Sequence, residues 1–382
     1  MRLGIDCREF EGGGATGMAR ILKGLIGWIS SERPDISLVL YARRKPADGF
    51  LPPGAQTRIL PDSPTVLWDQ LLLPRALRRD NIDVYYSIYH KCPLTAPCPT
   101  IITVHDLIPI KMPEKGAAAA AKKIYLSNML PAYAAKASRV ATDSEFSKKE
   151  IARAGVDEAK IQVIYPGLRE GSGPEKDPAK IAAAAAKFGL TPGGYIFYLG
   201  HLRASKNVGA LVRAFAALPL ELRNRHKLAV AGAKSGEFER LSEISRELCC
   251  SPDVVFVGYV GDAEAAALAA GCSVFVYPSK YEGFGYPPLE AMAMGAPVVC
   301  SNAASLPEVV GDAAIVVAPE PQAIAGGIAR ALAEPGLRES LIEKGARRAR
   351  LFTIEKMASE YADMFERVAA ERHARSTGRR RI

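Results

Sequence analysis

Two carboxylates with seven residues between them bracket a turn in the stretch YEGFGYPPLEAMAMGAPVV, residues 281–299. Each of them, Glu282 and Glu290, offers two oxygens that accept hydrogen bonds from neighbouring hydroxyls. Gly283 and Gly285 allow a tight turn and close backbone approach, and Pro287 and Pro288 suit a first helical turn, where no N–H partner is needed. The helix so opened presents free N–H groups and a partial positive charge to an anion. Glu290 falls in or beside that first turn and could serve merely as a capping acid. Glu282 precedes the turn and has no such structural role. The chemistry expected is recognition of a phosphate group flanked on both sides by hydroxyl-bearing rings, the outline of a nucleotide sugar.

Three further loops carry polar residues at the ends of apolar runs. GHLRASKN, from Gly200, sets His201, Arg203 and Lys206 close together, which suits a diphosphate or is a solvated basic turn. VHDL places His105 and Asp106 after an apolar strand, where the pair can orient a hydroxyl, stabilise charge or cap the strand. EGGGATG holds Gly12, Gly13, Gly14 and Gly17 after the first strand, either a close backbone approach to a ligand or a plain flexible loop.

The elements that must hold these loops alternate. RLGIDC, ISLVLYA, IDVYYSI, TIITVHD, SRVATDS and IQVIYPG read as strands, with helical patterns between several of them. KMPEKGAAAAAKKIYLSNMLPAYAAKA reads as a helix interrupted near Pro131. Residues 168–180 have a linker composition, and the alternation then restarts with YIFYLG, HKLAVAGA, VVFVGYV, SVFVYPS, APVVCSN and AAIVVAP. This predicts an α/β chain with two doubly wound, Rossmann-like domains at 1–180 and 181–350, their ligand loops at the carboxyl ends of the strands. A helix over 354–368, in a tail spanning 351–382, has one apolar face and is expected to pack back on the first domain.

With 382 residues, 48% of them hydrophobic and 24% charged, the composition is that of a globular chain with two cores. No apolar run reaches the ~20 residues of a membrane span, and MRLGID is not a signal peptide, so a cytoplasmic location is expected. Seven cysteines, an odd number without metal-knuckle spacing, read as reduced thiols, and no dedicated metal site is expected. The net charge of +9 is concentrated in the first half and in the tail ERHARSTGRRRI. Nucleic acid is not the expected partner, because aromatic and basic residues do not interleave. An anionic membrane surface is: segment 111–136 sets Lys111, Lys115, Lys122, Lys123 and Lys136 beside Ile124, Leu126, Met129 and Leu130. In the alternative, those apolar residues belong to the core.

EGFGYPPLEAMAMGAPVV followed by SNAASLPEVVGDAA strongly resembles the Glu-x7-Glu segment of the retaining glycosyltransferases of family four, which have the GT-B fold of two Rossmann-like domains facing a cleft. HDL, SEFSKKEI, VIYPG and LGHLRASKN resemble other signatures of that family, in its order, and the likeness runs over about residues 1–370. The resemblance implies a metal-independent hexosyltransferase without a cofactor, using a nucleotide-diphosphate sugar, with GDP-mannose first and UDP-hexoses next. The segment looks most like bacterial mannosyltransferases of surface-polysaccharide or lipopolysaccharide pathways, with a saccharide acceptor that is lipid-linked. It places Glu282 on the donor hexose and Glu290 on the ribose. It also places the backbone of Gly283 to Pro287, chiefly Phe284, Gly285 and Tyr286, on the diphosphate and sugar. Lys206 would meet the leaving diphosphate, His105 the hexose, Tyr259 and Val260 the base, and Gly13 and Gly14 would close over both substrates. Many members have an arginine where His201 or Ser205 stands here, and Arg203 is the expected substitute. Alternatives are a nucleotide-sugar epimerase of the same fold and a non-catalytic nucleotide-binding subunit.

Overall fold

In the computed structural model, which describes residues 1–12, 16–46, 51–52, 55–112, 116–168, 173–233 and 236–378, the chain divides into two compact units. One comprises Met1–Glu170 with Phe352–Ile382, the other Gly171–Leu351.

The first unit is built on seven parallel strands: β1 (Arg2–Asp6), β2 (Ser37–Ala42), β3 (Gln56–Ile59), β4 (Val84–Ser87), β5 (Thr100–Thr103), β6 (Arg139–Thr142) and β7 (Ile161–Val163). Their order is β3-β2-β1-β4-β5-β6-β7, so the winding reverses between β1 and β4. Ile5 of β1 lies opposite Leu40 and Tyr86. Strands such as β4 are buried throughout, as a sheet covered on both faces requires. The helix Ile354–Gly378 belongs to this unit. Its Tyr361 packs 5.3 Å from Tyr86, and its first residue rests on the helix Gly17–Glu32, where Ile354 Cγ2 lies 3.0 Å from a Cβ built on Gly24. Gly167 makes the approach to the same segment possible, because a Cβ there would lie 2.4 Å from the Ile354 nitrogen.

The second unit holds β8 (Tyr195–Leu199), β9 (Lys227–Ala231), β10 (Val254–Gly258), β11 (Val274–Tyr277), β12 (Val298–Ser301) and β13 (Ala314–Val317). All are parallel, in the order β10-β9-β8-β11-β12-β13, with the reversal between β8 and β11. Phe197, Phe275 and Tyr277 interlock in its core, Phe197 and Phe275 edge to face at 6.0 Å. Both units are doubly wound Rossmann-like sheets.

Several expectations are corrected. Strand β3 and the helical stretch over 65–79 were absent from the sequence reading. β3 is a short edge strand with no buried residue, so it carries no apolar signal. The helix Ala117–Lys136 runs through Pro131 without a break, since burial of Leu130, Tyr133 and Ala134 offsets the one hydrogen bond a proline cannot make. Residues 178–180, read as linker, begin the helix Pro178–Ala186, capped by the Asp177 side chain on the Ala179 N–H. Of the apolar residues at 111–136, Leu126 and Leu130 are buried and Met129 is partly so, whereas Ile124 and Tyr125 are exposed. Lys115 lies outside the described residues. Among the described residues, no helix is long and apolar enough to cross a membrane.

Candidate functional site

In a doubly wound sheet, ligands bind at the carboxyl ends of the strands where the winding reverses. In the second unit that point is flanked by the loops after β8 and β11, residues 200–207 and 278–285. These loops carry Lys206 and Glu282. The Lys206 ammonium donates to both Glu282 oxygens, at 2.7 and 2.8 Å. Their side chains are only 13% and 9% exposed, so the pair is largely withdrawn from water.

A lattice of hydroxyls and amides fixes both loops. Ser279 Oγ donates to the Ser205 carbonyl at 3.1 Å, and the Lys280 N–H donates to the same oxygen at 2.8 Å. Ser305 Oγ lies within bonding distance of the carbonyls of Glu282 (3.1 Å) and Phe284 (2.6 Å). Asn207 Nδ2 ties the end of the first loop to the carbonyls of Pro278 and Pro319. Beneath lie Tyr198 and Tyr277, stacked with centroids 5.8 Å apart. Burial, then the Glu282 charge, raises both phenols, and Glu290 adds to the effect at Tyr277. The two carboxylates and Tyr277 therefore form one electrostatic neighbourhood. Tyr198 and Tyr277 are functional neighbours that the sequence reading missed, because each looks like an ordinary apolar strand position.

Gly285 precedes the helix Tyr286–Ala293 with φ +109, and a Cβ there would lie 2.6 Å from Leu306 Cδ2, so glycine alone fits. Pro287 and Pro288 fall in the first turn. Glu290 is the fifth residue of that helix, beyond the first turn, which removes the capping role. Glu282 lies in the loop before the turn, as expected, and is there a buried carboxylate paired with Lys206. Gly283 and Phe284 are buried, and Tyr286 packs edge to face on Phe284 at 5.4 Å.

Arg203 is exposed and lines a separate cavity of about 310 Å³ with Asn207, Arg213, Arg240 and Lys280. The Lys206 N–H donates to the Arg203 carbonyl at 2.9 Å, but among the described residues no side-chain hydrogen bond or ion pair joins Arg203 to Glu282 or Lys206. His201 is exposed, and partial desolvation, then the charges of Arg203 and Lys206, hold it below its ordinary value. Tyr259, at the end of β10, is 76% exposed with a free face, whereas Val260 is buried in the core.

In the first unit, His105 follows β5. Its Nδ1 lies 2.7 Å from Asp143 Oδ2, and its Nε2 lies 3.1 Å from the Ile88 carbonyl. Burial pulls this imidazole down, but the charge of Asp143 and the bond to it prevail, and the net shift is upward. Asp106 accepts from the Ile108 N–H at 2.8 Å and turns the chain away from the strand. Near β1, Arg8 lies 3.9 Å over the Trp68 ring and pairs with Asp6 and, at 2.7 Å, Asp69, which Lys91 also meets at 3.0 Å. This ionic knot was not anticipated, since its members are scattered in sequence. Gly13 and Gly14 lie outside the described residues. Among the described residues, no group of three or more His, Cys, Asp or Glu side chains could hold a metal ion.

Residues 184–348 match the family described as glycosyl transferases group 1, and residues 16–170 match glycosyltransferase family 4. The chain is 33% identical over 267 residues to O-antigen chain mannosyltransferase B of Escherichia coli, a match covering 70% of each. It is 29% identical over 218 residues to the serotype-specific mannosyltransferase WbdA of Escherichia coli, but covers only 27% of that protein. Among solved structures, sucrose-phosphate synthase from Thermosynechococcus elongatus superposes with a TM-score of 0.78 at 19% identity, over 97% of this chain and 100% of that one. HepE from Anabaena, in complex with UDP and glucose, gives 0.75 at 18%, over 96% and 99%.

Proposed function

The chain belongs to the glycosyltransferases of family four, and on that premise we propose that it moves a hexose, mannose first, from a nucleoside-diphosphate donor to a saccharide acceptor with retention at the anomeric carbon. The observation that carries the reading is the Lys206–Glu282 pair at the reversal point of the second sheet, beside the N-terminus of the helix Tyr286–Ala293. Donor binding exchanges partners: Lys206 turns to the diphosphate, and Glu282 is released to accept from the hexose hydroxyls. Glu290 takes the ribose hydroxyls, the backbone of Gly283 to Pro287 approaches the diphosphate and hexose, and the exposed Tyr259 ring meets the base.

In the transfer, the bond from the anomeric carbon to the diphosphate oxygen breaks and the bond to the acceptor oxygen forms on the same face. The acceptor proton passes to the departing diphosphate. Lys206 and the helix N-terminus stabilise the charge that develops there, so the step proceeds without a metal. Arg203, exposed on the outer side of its loop, acts at longer range.

Mannose is favoured because two relatives similar to this chain are named as mannosyltransferases, one of them of an O-antigen chain. We further propose that the acceptor is a lipid-linked saccharide and that the enzyme works peripherally on the inner face of the cytoplasmic membrane. A panel of GDP- and UDP-sugars, assayed for released nucleoside diphosphate, tests the reading. Turnover with GDP-mannose is the expected result. An epimerised donor would identify an epimerase, and binding without turnover would identify a nucleotide-binding subunit.

A further inference from the structure

The two loops that carry Lys206 and Glu282 also border a second cavity. Arg203 of one loop and Lys280 of the other line the space of about 310 Å³, together with Arg213 of the helix Val208–Ala216 and Arg240 of the helix Glu237–Glu247. The described lining belongs to the second unit alone. Among the described residues, Lys206, Glu282, Glu290 and Tyr259 do not line it, which sets it apart from the donor groups.

Its charges are not balanced. The side chains of Arg203, Arg213 and Lys280 make no hydrogen bond or ion pair among the described residues. The described lining has one carboxylate, Glu237, which meets Arg240 at 3.0 Å. That pair lies one helical turn apart with side chains 63% and 32% exposed, so water screens it. Cations gathered without matching acids repel one another, and a bound anion relieves the repulsion. Three of the four are arginines, whose planar forks give a phosphate two parallel N–H donors each. A phosphomonoester, with nearly two charges and three acceptor oxygens, suits four cations better than a carboxylate does.

The helix Val208–Ala216 begins at this wall, with Val208 and Gly209 in the lining. Its N-cap Asn207 makes no side-chain cap, the amide nitrogen being held by the carbonyls of Pro278 and Pro319. The partial positive charge of that helix end adds to the four cations. Behind them the wall is apolar, with Leu202, Leu241 and Ile244 all buried. The volume lies at the low end of the ~300–1,000 Å³ of small-ligand pockets.

We propose that this cavity is a second anion site, for a phosphomonoester with an apolar or C–H-rich body, and that it fills together with the donor site rather than in its place. The site does not depend on which donor the enzyme uses.

Phenyl phosphate is the probe, inorganic phosphate its bare head and phenol its neutral control. Titrated by calorimetry into enzyme saturated with GDP, phenyl phosphate should bind more tightly than inorganic phosphate, and phenol should not bind. Arg213→Ala and Arg240→Ala should each weaken phenyl phosphate roughly three- to tenfold, and the double substitution should abolish its binding. Both side chains are exposed, so thermal unfolding should not move. Arg330→Ala, which removes an exposed arginine outside the cavity, should change nothing. Loss of the probe at saturating GDP would place it in the donor site. Equal weakening by Arg330→Ala would reduce the effect to bulk charge. Either result, no binding to the parent, or undiminished binding to the double variant would overturn the site. If neither GDP nor UDP binds, the donor assignment fails, and the same titration without nucleotide still reads the cavity through Arg213 and Arg240. Vesicles of phosphatidic acid in phosphatidylcholine, beside phosphatidylcholine alone, identify the source of the phosphate. Co-sedimentation that the double substitution removes assigns a lipid headgroup, and co-sedimentation that is absent or unaffected assigns a soluble phosphomonoester.

Discussion

Lys206→Ala and Glu282→Ala break the same contact, yet they should move nucleotide affinity in opposite directions. The ammonium grips both carboxylate oxygens at 2.7 and 2.8 Å. On the proposed reading, donor binding first parts this pair. Removing Lys206 deletes a charge-assisted contact to phosphate, a class worth ~1.5–3 kcal/mol, so GDP affinity should fall roughly 10- to 100-fold. It also leaves Glu282 unpaired with its side chain only 9% exposed. Breaking a fully buried pair costs ~3–5 kcal/mol, so a site open at one edge should lose about 1–3 kcal/mol of stability. Removing Glu282 instead frees Lys206, whose stem is long enough to reach water, for the phosphate. GDP should then bind as tightly as to the unaltered enzyme or more tightly, while transfer collapses, because the hexose contact made in the transition state is gone. Calorimetry with GDP, beside turnover and thermal unfolding, reads all three effects. Equal weakening of GDP by both substitutions would refute the exchange of partners and leave the pair a purely structural bridge.

Three further outcomes follow from the same geometry. Gly285→Ala should cost about 1–3 kcal/mol of stability and weaken GDP, since a side chain at φ +109 is strained and meets Leu306, with thermal unfolding and calorimetry as the readouts. His90 should make the protein acid-sensitive: its folded pKa lies below the ordinary value of 6.5, so the unfolded chain takes up the proton first and stability falls as pH drops from 6.5 toward about 4. His105 acts with the opposite sign, its contribution complete below 6.5 and lost as pH rises through its raised folded value. Denaturant titrations of His90→Gln should therefore show a shallower acid decline than the parent, and an identical decline would remove His90 from the explanation. Last, Lys122, Lys123, Ile124 and Tyr125 are all exposed on one helix. At ~1 kcal/mol per lysine, Lys122→Glu with Lys123→Glu should reduce co-sedimentation with anionic vesicles tenfold or more, and salt should do the same to the parent. Equal partitioning to neutral vesicles would take the surface charge out of the account.

The doubly wound character was legible because parallel central strands are apolar on both faces: SVFVYP and TIITV announce themselves. Edge strand β3, QTRI, did not, having no buried residue to write a pattern. The neighbourhood of Glu282 and Glu290 was legible because glycine, proline and acid must follow one another there for a turn to become a helix start. Its internal chemistry was not. The Lys206–Glu282 bond joins loops 76 residues apart, and the His105–Asp143 bond joins β-strand ends 38 apart. Such pairings are fixed by strand order, which local sequence does not encode. For the same reason the pairing of Glu282 with Lys206 was not legible, and the burial of that pair gives removal of Glu282 a structural effect beside the catalytic one.

The most direct test follows the anomeric carbon. GDP-mannose labelled with 13C at C1, incubated with the enzyme in EDTA and watched by NMR, should give an α-configured product as the first species formed. Glu282→Gln should leave the donor intact over the same period. A β-configured first product, or undiminished turnover by Glu282→Gln, would contradict retaining transfer at the Lys206–Glu282 site.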